Sequence, residues 1–234
     1  MRLLAPPGVY RPDGDSEMVV ELLRKTTRPG ERVLDVFTGT GVLAIAAATA
    51  GAGDVWAIDV SRRATICAAV NARLRGLDVT VRRGSMLKPV GDEGFDTIAA
   101  NPPYVPSIEP AARPRGAARA WEGGADGRAL LDPFLAAAPK HLLPGGRILV
   151  VHSSVSGIER TIEKLEDSGL NTRIAMEVEN PLGPLAAARA ELLVERGALP
   201  QGARTERIAV IEAHRPPTMD PTPPAPLIEV EQLA

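Results

Sequence analysis

The segment "FDTIAA" runs directly into the tetrapeptide "NPPY", residues 101–104, which could orient a planar nitrogen group for reaction. Neither proline has an N–H for a β-ladder, and Pro102 holds Asn101 in an extended conformation, so the strand must end here. The Asn101 side-chain oxygen and the Pro102 carbonyl oxygen could accept the two hydrogens of an NH2 group, and Tyr104 could stack on it. The expected catalytic residues are therefore Asn101, Pro102, Pro103 and Tyr104.

A glycine-rich turn and an acidic residue follow two other apolar segments. In "LDVFTGTG", Gly39 and Gly41 stand in a turn that opens a helix, where glycine lets the backbone approach a ligand closely. Asp59 ends "DVWAID", about 20 residues after the turn, where a carboxylate can accept hydrogen bonds from both hydroxyls of a ribose. Together they predict a nucleoside site. The expected cofactor-binding residues here are Asp35, Gly39, Gly41 and Asp59.

The spacing of this turn favours one nucleoside cofactor over another. A dinucleotide fingerprint, G-x-G-x-x-G, would need glycine where this chain has Phe37 and Ala44. S-adenosylmethionine needs no pyrophosphate cradle, only a close backbone turn, an acid for the ribose and an apolar slot for adenine. We therefore expect S-adenosylmethionine as the cofactor and S-adenosylhomocysteine as its product, with a dinucleotide as the minor alternative.

The elements that must position these groups alternate between short β-branched segments and longer helical patterns. Strands alternating with helices predict an α/β fold with a doubly wound, mostly parallel seven-stranded sheet of the Rossmann-like kind. In such sheets ligands bind outside the carboxyl ends of the strands, where both groups stand. The predicted strands are 31–37, 54–59, 77–83, 95–100, 145–152, 172–178 and 206–214, and the predicted helices are 40–50, 61–75, 126–140, 155–168 and 184–196.

Composition excludes several classes of protein. The chain has 234 residues, 44% of them hydrophobic, which suits one main domain with a substantial core. Its formal net charge of -2 provides no chain-wide field for nucleic acid or a membrane surface. The single Cys67 excludes an internal disulfide, and the three histidines lack metal-ligand spacing. Without a signal-peptide pattern or an apolar segment of about 20 residues, we expect a cytoplasmic protein with no membrane association.

Five segments together resemble one known family. They are "GVYRPDGDS", "LDVFTGTG", "AID", "NPPY" and "AWEGGADGRALLDPF", and with them the chain resembles the HemK-like class I S-adenosylmethionine-dependent methyltransferases from about residue 9 to residue 152. The last segment is similar to the one that follows NPPY in eukaryotic and archaeal members, which methylate a glutamine side chain in translation release factors. NPPY alone also occurs in enzymes that methylate base amines in nucleic acids.

The resemblance implies roles for individual positions. The cofactor turn would be formed by Phe37, Thr38, Gly39, Thr40 and Gly41. Asp59 would bind the ribose. Met86 would pack against adenine beside Ser85, which stands where members commonly have an aspartate. Asp15 and Ser16 would start a helix that covers the cofactor, a position that suits their N-capping chemistry.

The loop after NPPY is implied to shape the acceptor side. Trp121 and residues 122–127 would form it. Arg113, Arg115 and Arg119 in the same loop could contact phosphates or an acidic partner, or could be solvated.

The layout resembles the short eukaryotic and archaeal form, whose members can work with a small activating subunit. Residues 1–30 would be a cofactor-covering segment, 31–214 the methyltransferase domain, and 215–234 a proline-rich tail. The section 179–205 is longer than expected for the short form and could be a substrate lid, a dimer contact or plain surface.

The expected function is thus S-adenosylmethionine-dependent N-methylation of a protein glutamine side chain, with a release factor as the partner. A base amine of a nucleic acid or the amine of a small molecule is the alternative acceptor. A non-catalytic nucleotide-binding scaffold is the minor alternative.

Overall fold

A seven-stranded mixed sheet lies at the centre of the protein, in a computed structural model that describes residues 3–108, 118 and 120–217. Its strands are β1 (Arg32–Val36), β2 (Asp54–Asp59), β3 (Thr80–Arg83), β4 (Phe95–Ala100), β5 (Leu142–Ser153), β6 (Asn171–Pro181) and β7 (Thr205–His214). They lie in the order β3-β2-β1-β4-β5-β7-β6. The first five are parallel, and β7 is antiparallel to both of its neighbours. The predicted doubly wound, mostly parallel seven-stranded sheet is confirmed.

Helices cover both faces of the sheet. They are α1 (Gly14–Thr26), α2 (Val42–Thr49), α3 (Arg62–Arg73), α4 (Leu131–Ala137) and α5 (Ile158–Glu166). Two short helices, α6 (Pro184–Ala187) and α7 (Ala190–Glu195), lie between β6 and β7 and pack in a small cluster of their own. Because successive strand residues point to opposite faces, Val33 of β1 packs with Leu23 of α1 and Leu43 of α2, whereas Leu34 packs with Phe134 of α4. The sheet thus separates two cores.

The chain reverses its winding direction between β1 and β4. Strands β2 and β3 extend the sheet on one side of β1, and β4 and β5 extend it on the other. Val36 at the end of β1 pairs with Ala100 at the end of β4. Phe37 and Asn101 therefore leave the sheet at the same level, beside the crevice that such a reversal creates.

The helix predicted over 40–50 begins at Val42, because Gly41 before it is left-handed, with φ of 85°. A Cβ at Gly41 would also lie 3.1 Å from the Cα of Ala68 in α3. Glycine at this position therefore permits both the left-handed backbone turn and the close packing of α2 on α3. The predicted N-cap of the next helix, Ser61, is confirmed, because its Oγ accepts from the Ala64 N–H at 3.4 Å.

The helix predicted over 126–140 begins only at Leu131, because a buried arginine holds the residues before it in a loop. The Arg128 guanidinium is almost fully buried and donates to the carbonyl oxygens of Ser156 at 2.6 Å and Gly157 at 2.9 Å. Its loss would leave those carbonyl oxygens without this donor inside the protein.

Two further helix predictions need correction. The helix predicted over 184–196 is divided at Arg189, which leaves the helical conformation between α6 and α7. Asp15 and Ser16 do not cap α1, since the helix begins at Gly14 with Asp13 at the N-cap position. Both residues lie inside the first turn instead.

Among residues 3–108, 118 and 120–217, none of the helices has both the length and the apolar character needed to span a bilayer. The same residues contain no group of histidine, cysteine, aspartate and glutamate side chains suited to a metal ion. The predictions for Arg113, Arg115 and Arg119, and for residues 218–234 of the tail, lie outside the described residues.

Candidate active site

A cleft of about 1150 Å³ opens at the carboxyl ends of β1, β2 and β4. This exceeds the roughly 300–1,000 Å³ of an ordinary small-molecule pocket, so a cofactor and an acceptor group could occupy it together. Ten predicted site residues line it: Asp15, Phe37, Gly39, Asp59, Ser85, Met86, Asn101, Pro102, Pro103 and Tyr104. The other five, Ser16, Asp35, Thr38, Thr40 and Gly41, are buried beneath its surface.

Asp35 builds the turn after β1 from the inside. Its Oδ2 accepts from the Thr38 hydroxyl at 2.6 Å and from the Ala44 N–H at 3.0 Å, which ties the turn to the first turn of α2. Burial raises the pKa of the Asp35 carboxyl to about 7. The residue therefore shapes the cleft through the backbone that it holds.

Two non-glycine residues at the cleft have left-handed backbones. They are Phe37, with φ of 63°, and Met86, with φ of 49°. Both side chains pack against the core, and the Phe37 ring meets Phe134 edge to face, with centroids 5.8 Å apart. Such conformations cost about 1 kcal/mol or more and cluster at ligand sites.

Asp59 connects the turns that follow β1 and β2. Its Oδ2 accepts from the Gly39 N–H at 3.0 Å, and its Oδ1 accepts from the Ser61 N–H at 2.8 Å. Both donors are backbone N–H groups, and they fix the orientation of the carboxylate at the cleft. The arrangement suits a carboxylate that receives two hydroxyl groups of a sugar.

The first turn of α1 holds the NPPY segment. Asn101 Nδ2 donates to Ser16 Oγ at 3.0 Å, and the Tyr104 hydroxyl donates to the Asp15 carboxylate. Burial raises the pKa of Asp15 to about 6. Burial, and then the Asp15 charge, raise the pKa of Tyr104, so its hydroxyl stays protonated.

His152 lies behind Tyr104, with the two ring centroids 6.5 Å apart. It is fully buried, and its Nδ1 lies 3.0 Å from the Ser153 carbonyl oxygen, to which it can donate. Burial lowers the pKa of His152 to about 4, so the ring is neutral. His152 does not line the cleft and supports the Tyr104 ring from within.

The loop of residues 122–127 wraps closely around NPPY. The Val105 N–H donates to the Trp121 carbonyl oxygen at 2.8 Å, and the Gly123 N–H donates to the Val105 carbonyl oxygen at 2.8 Å. A Cβ at Gly127 would lie 2.1 Å from the Tyr104 carbonyl oxygen, so only glycine fits there. Trp121 and Glu122 line the cleft. Arg113, Arg115 and Arg119, which precede this loop in the chain, lie outside the described residues.

Sequence analysis missed two groups of cleft residues. The first, Tyr10 and Asp13, comes from the segment before α1. The second comes from the section between β6 and β7, whose residues carry no recognisable chemical pattern. Only the unusual length of this section indicated that it could contribute to the site. Together with the end of β6 and the start of β7, this section contributes the lining residues Asn180, Pro181, Gly183, Pro184, Leu185, Ala186 and Glu206.

Comparison with known proteins identifies relatives of this chain. Residues 1–112 match the family described as Methyltransferase small domain. A protein of Methanocaldococcus jannaschii, provisionally named protein N5-glutamine methyltransferase, is 31% identical over 190 residues, which are 81% of this chain and 95% of that protein. The release factor glutamine methyltransferase of Gloeobacter violaceus is 36% identical over 156 residues. That match covers 62% of this chain but only 54% of the relative, so the chain spans about half of the bacterial protein's length.

A solved structure supports the same fold. The Mtq2–Trm112 complex of E. cuniculi, responsible for methylation of the eRF1 translation termination factor, includes a chain that matches with a TM-score of 0.61 at 20% identity. The match covers 89% of this chain and 99% of that one. A match at 20% identity supports the fold alone. The M. jannaschii relative, at 31% identity, shows the family. The chain therefore belongs to the HemK-like family of class I, S-adenosylmethionine-dependent methyltransferases.

Proposed function

We propose that the chain methylates the side-chain nitrogen of a glutamine in a protein substrate of the release-factor kind. The Asn101 side chain carries this proposal. Its Nδ2 donates to Ser16 Oγ, which leaves Oδ1 to accept a hydrogen bond in the cleft. The names of the M. jannaschii and G. violaceus relatives support the same acceptor.

The chemistry of an amide explains why such acceptors are needed. The lone pair of an amide nitrogen is delocalised into its carbonyl group and is a poor nucleophile. Hydrogen bonds from its two N–H groups to Asn101 Oδ1 and the Pro102 carbonyl oxygen would fix the nitrogen and favour its pyramidal form. The methyl group would come from S-adenosylmethionine, which would leave as S-adenosylhomocysteine, and the nitrogen would release one proton. Orientation is thus the main contribution of this segment, and the Tyr104 ring would stack on the amide plane.

We propose that the cofactor binds in the part of the cleft at the ends of β1 and β2. S-adenosylmethionine, when bound, supplies an electrophilic methyl group. We propose that Asp59 holds its ribose, that residues 37–41 hold its methionine part, and that Ser85 and Met86 contact adenine. The Asp59 carboxylate and the Gly39 N–H already meet at the cleft, which supports this assignment. Residues 1–30 would cover the cofactor, with Tyr10 as a lining residue.

Methyl transfer from labelled S-adenosylmethionine tests the proposal. The wild type, Asn101→Ala and the control Asn171→Ala, an exposed residue at the start of β6, would be incubated with purified release factors of the source organism. We expect label on one glutamine, located by mass spectrometry, with the wild type and Asn171→Ala only. Label found only in nucleic acid or small molecules would overturn the glutamine acceptor and leave the methyltransferase class intact.

We propose in addition that a small activating subunit binds the outer face of α3. Ile66, Val70 and Leu74 are exposed there at four-residue spacing, which makes one apolar stripe. The exposed Arg62 and Arg73 lie beside it, so the partner surface would be apolar with acidic residues around it. A subunit that raises turnover of the wild type but not of Val70→Asp would support this. If the purified chain alone turned over as fast as it does with any added subunit, that result would contradict the proposal.

A further inference from the structure

A second groove, of about 1180 Å³, runs between α1 and the end of α3 and is called here the α1–α3 groove. Residues 3–13 separate it from the cleft, because residues 7–10 line the cleft whereas residues 3, 4, 11 and 12 line the groove. Whatever occupies this groove therefore contacts the segment proposed to cover the cofactor.

Asn71 connects the groove to the cofactor turn. It lines the groove, is fully buried, and donates through Nδ2 to the carbonyl oxygens of Leu4 at 2.9 Å and Thr40 at 3.0 Å. Its Oδ1 accepts from the Leu4 N–H at 2.9 Å. One side chain thus holds both the start of the chain and the turn after β1, so a contact made in the groove reaches the cleft.

The groove combines apolar and basic side chains. Its apolar lining residues are Leu3, Leu4, Val20, Val42 and Leu74. Four basic and two acidic side chains accompany them: Arg11, Arg24, Lys25 and Arg75, with Glu17 and Glu21. Glu21 pairs with Lys25, whereas the side chains of Arg11 and Arg24 make no hydrogen bond or ion pair within the part of the chain that the structure describes. The groove therefore suits an apolar segment that carries carboxylates.

The proline-rich tail has this composition, and the chain that leads to it leaves the sheet nearby. Residues 227–234, "LIEVEQLA", contain four large apolar residues and two glutamates, and residues 218–234 contain no lysine, arginine or histidine. His214 at the end of β7 pairs with Arg147, which donates to the carbonyl oxygen of Thr26 at 3.1 Å. The chain thus leaves the sheet beside the last turn of α1, which carries Arg24 and Lys25.

The distance allows this segment to reach the groove. An extended chain spans roughly 3.3 Å per residue, so residues 218–226 can cover about 30 Å. The 13 residues of α1 extend over about 20 Å. Residues 227–234 can therefore reach every part of the groove along α1.

We infer that residues 227–234 bind in the α1–α3 groove of the same chain and thereby hold residues 3–13 over the cofactor. Apolar contact provides the affinity, and the attraction of Glu229 and Glu231 to the basic side chains provides the preference for this segment. The effect on the cofactor rests on the proposed function, whereas the docking does not. Ile66 and Val70 do not line the groove and stay available to an activating subunit.

A chain that stops at Pro217 tests the docking, because the sheet and its two cores are complete at His214. The probe is a fluorescent synthetic peptide of residues 222–234, and its control is a peptide of the same composition in scrambled order. The truncated chain should bind the first peptide and not the second. The full chain, whose own tail occupies the groove, should bind the first peptide at least about tenfold more weakly.

Charge reversal identifies the groove as the binding site. Arg24→Glu in the truncated chain should weaken peptide binding at least about tenfold, since repulsion replaces attraction. The exposed control Arg204→Glu should leave the binding unchanged, and circular dichroism verifies that both variants are folded. Absence of peptide binding, or binding that Arg24→Glu does not weaken, would overturn the inference. Light scattering that shows a dimeric full chain and a monomeric truncated chain would overturn docking within one chain.

Calorimetric titration with S-adenosylmethionine measures the coupling to the cofactor. Truncation should weaken this affinity about fivefold or more, and the added peptide should restore it. Peptide binding without any change in this affinity would retain the docking and overturn the coupling. If the full chain itself did not bind S-adenosylmethionine, the proposed function would be refuted, and the peptide titration would still decide the docking.

Discussion

The Tyr104 hydroxyl donates a hydrogen bond to the Asp15 carboxylate, which lies 89 residues earlier in the sequence. One residue further along α1, Ser16 binds the Asn101 side chain. The first turn of α1 therefore fixes both ends of NPPY. Any change in the ionisation of Asp15 reaches the segment expected to hold the acceptor.

Activity should fall as the pH drops through about 6, the value to which burial raises the pKa of Asp15. Protonated Asp15 would hold the Tyr104 hydroxyl less strongly, since a charge-assisted hydrogen bond becomes a neutral one. Asp15→Asn should lose this part of the pH profile of kcat/KM, and the exposed control Asp167→Asn should keep it. A titration extends roughly one pH unit on each side of the pKa, so the change in kcat/KM should fall between about pH 5 and 7. A wild-type profile that is flat over this range would contradict the role of Asp15.

The same shift predicts a gain in stability for the variant. The native-state pKa of Asp15 is raised above its ordinary 3.8, so the native protein binds more protons than the unfolded chain between 3.8 and about 6. The stability contributed by Asp15 is complete below that window and is lost as the pH rises through it. Asp15→Asn should therefore unfold at higher urea concentration than wild type at pH 7. Equal midpoints at pH 7 would argue against a buried charge.

Much of the fold could be predicted because its signals are local. The short β-branched strands, the prolines after β4 and the glycine at the start of α2 each act within a few residues. The hydrogen bonds from α1 to NPPY could not be predicted. Asp15 and Ser16 indicate the start of a helix, but this signal is the same wherever α1 packs. The roles of Arg128 and Arg189 could not be predicted either, because buried arginines are rare. Each interrupts a segment with a helical pattern by donating to carbonyl oxygens that lie far away in the sequence.

Gly41→Ala should destabilise the protein more than Gly30→Ala. Both glycines have φ of 85°, but a Cβ at Gly41 would meet Ala68 at 3.1 Å, whereas nothing lies within 4 Å at Gly30. The shared backbone strain costs about 1 kcal/mol, and the crowding at Gly41 should add about 1–3 kcal/mol. Urea denaturation of the two variants separates these contributions. Equal losses would mean that α2 and α3 move apart at little cost.

Asp59→Asn should weaken S-adenosylmethionine binding about tenfold to a hundredfold, because hydrogen bonds to a charged group contribute roughly 1.5–3 kcal/mol. Asp54→Asn is the matched control at the other end of β2, where Asp54 binds Arg32 and Trp56 away from the cleft. Calorimetric titration gives both dissociation constants. If the two variants lose affinity equally, the loss reflects damage to β2, and Asp59 has no special role at the ribose.

Arg189→Met should loosen the section between β6 and β7 while the sheet remains intact. Methionine retains the aliphatic bulk, but Glu122 loses its ion pair and the Pro106 carbonyl oxygen loses its donor. An unsatisfied buried group costs about 1–3 kcal/mol, and the small separate core of Leu193 and Leu199 contributes too little stability to offset it.

Amide hydrogen exchange should therefore accelerate within residues 182–204, while the exchange of β1 and β4 stays unchanged. The KM for the acceptor should rise by a larger factor than kcat falls. The exposed Arg204→Met should show neither effect. Uniformly faster exchange through the sheet would mean that Arg189 stabilises the whole domain and does not act on residues 182–204 alone.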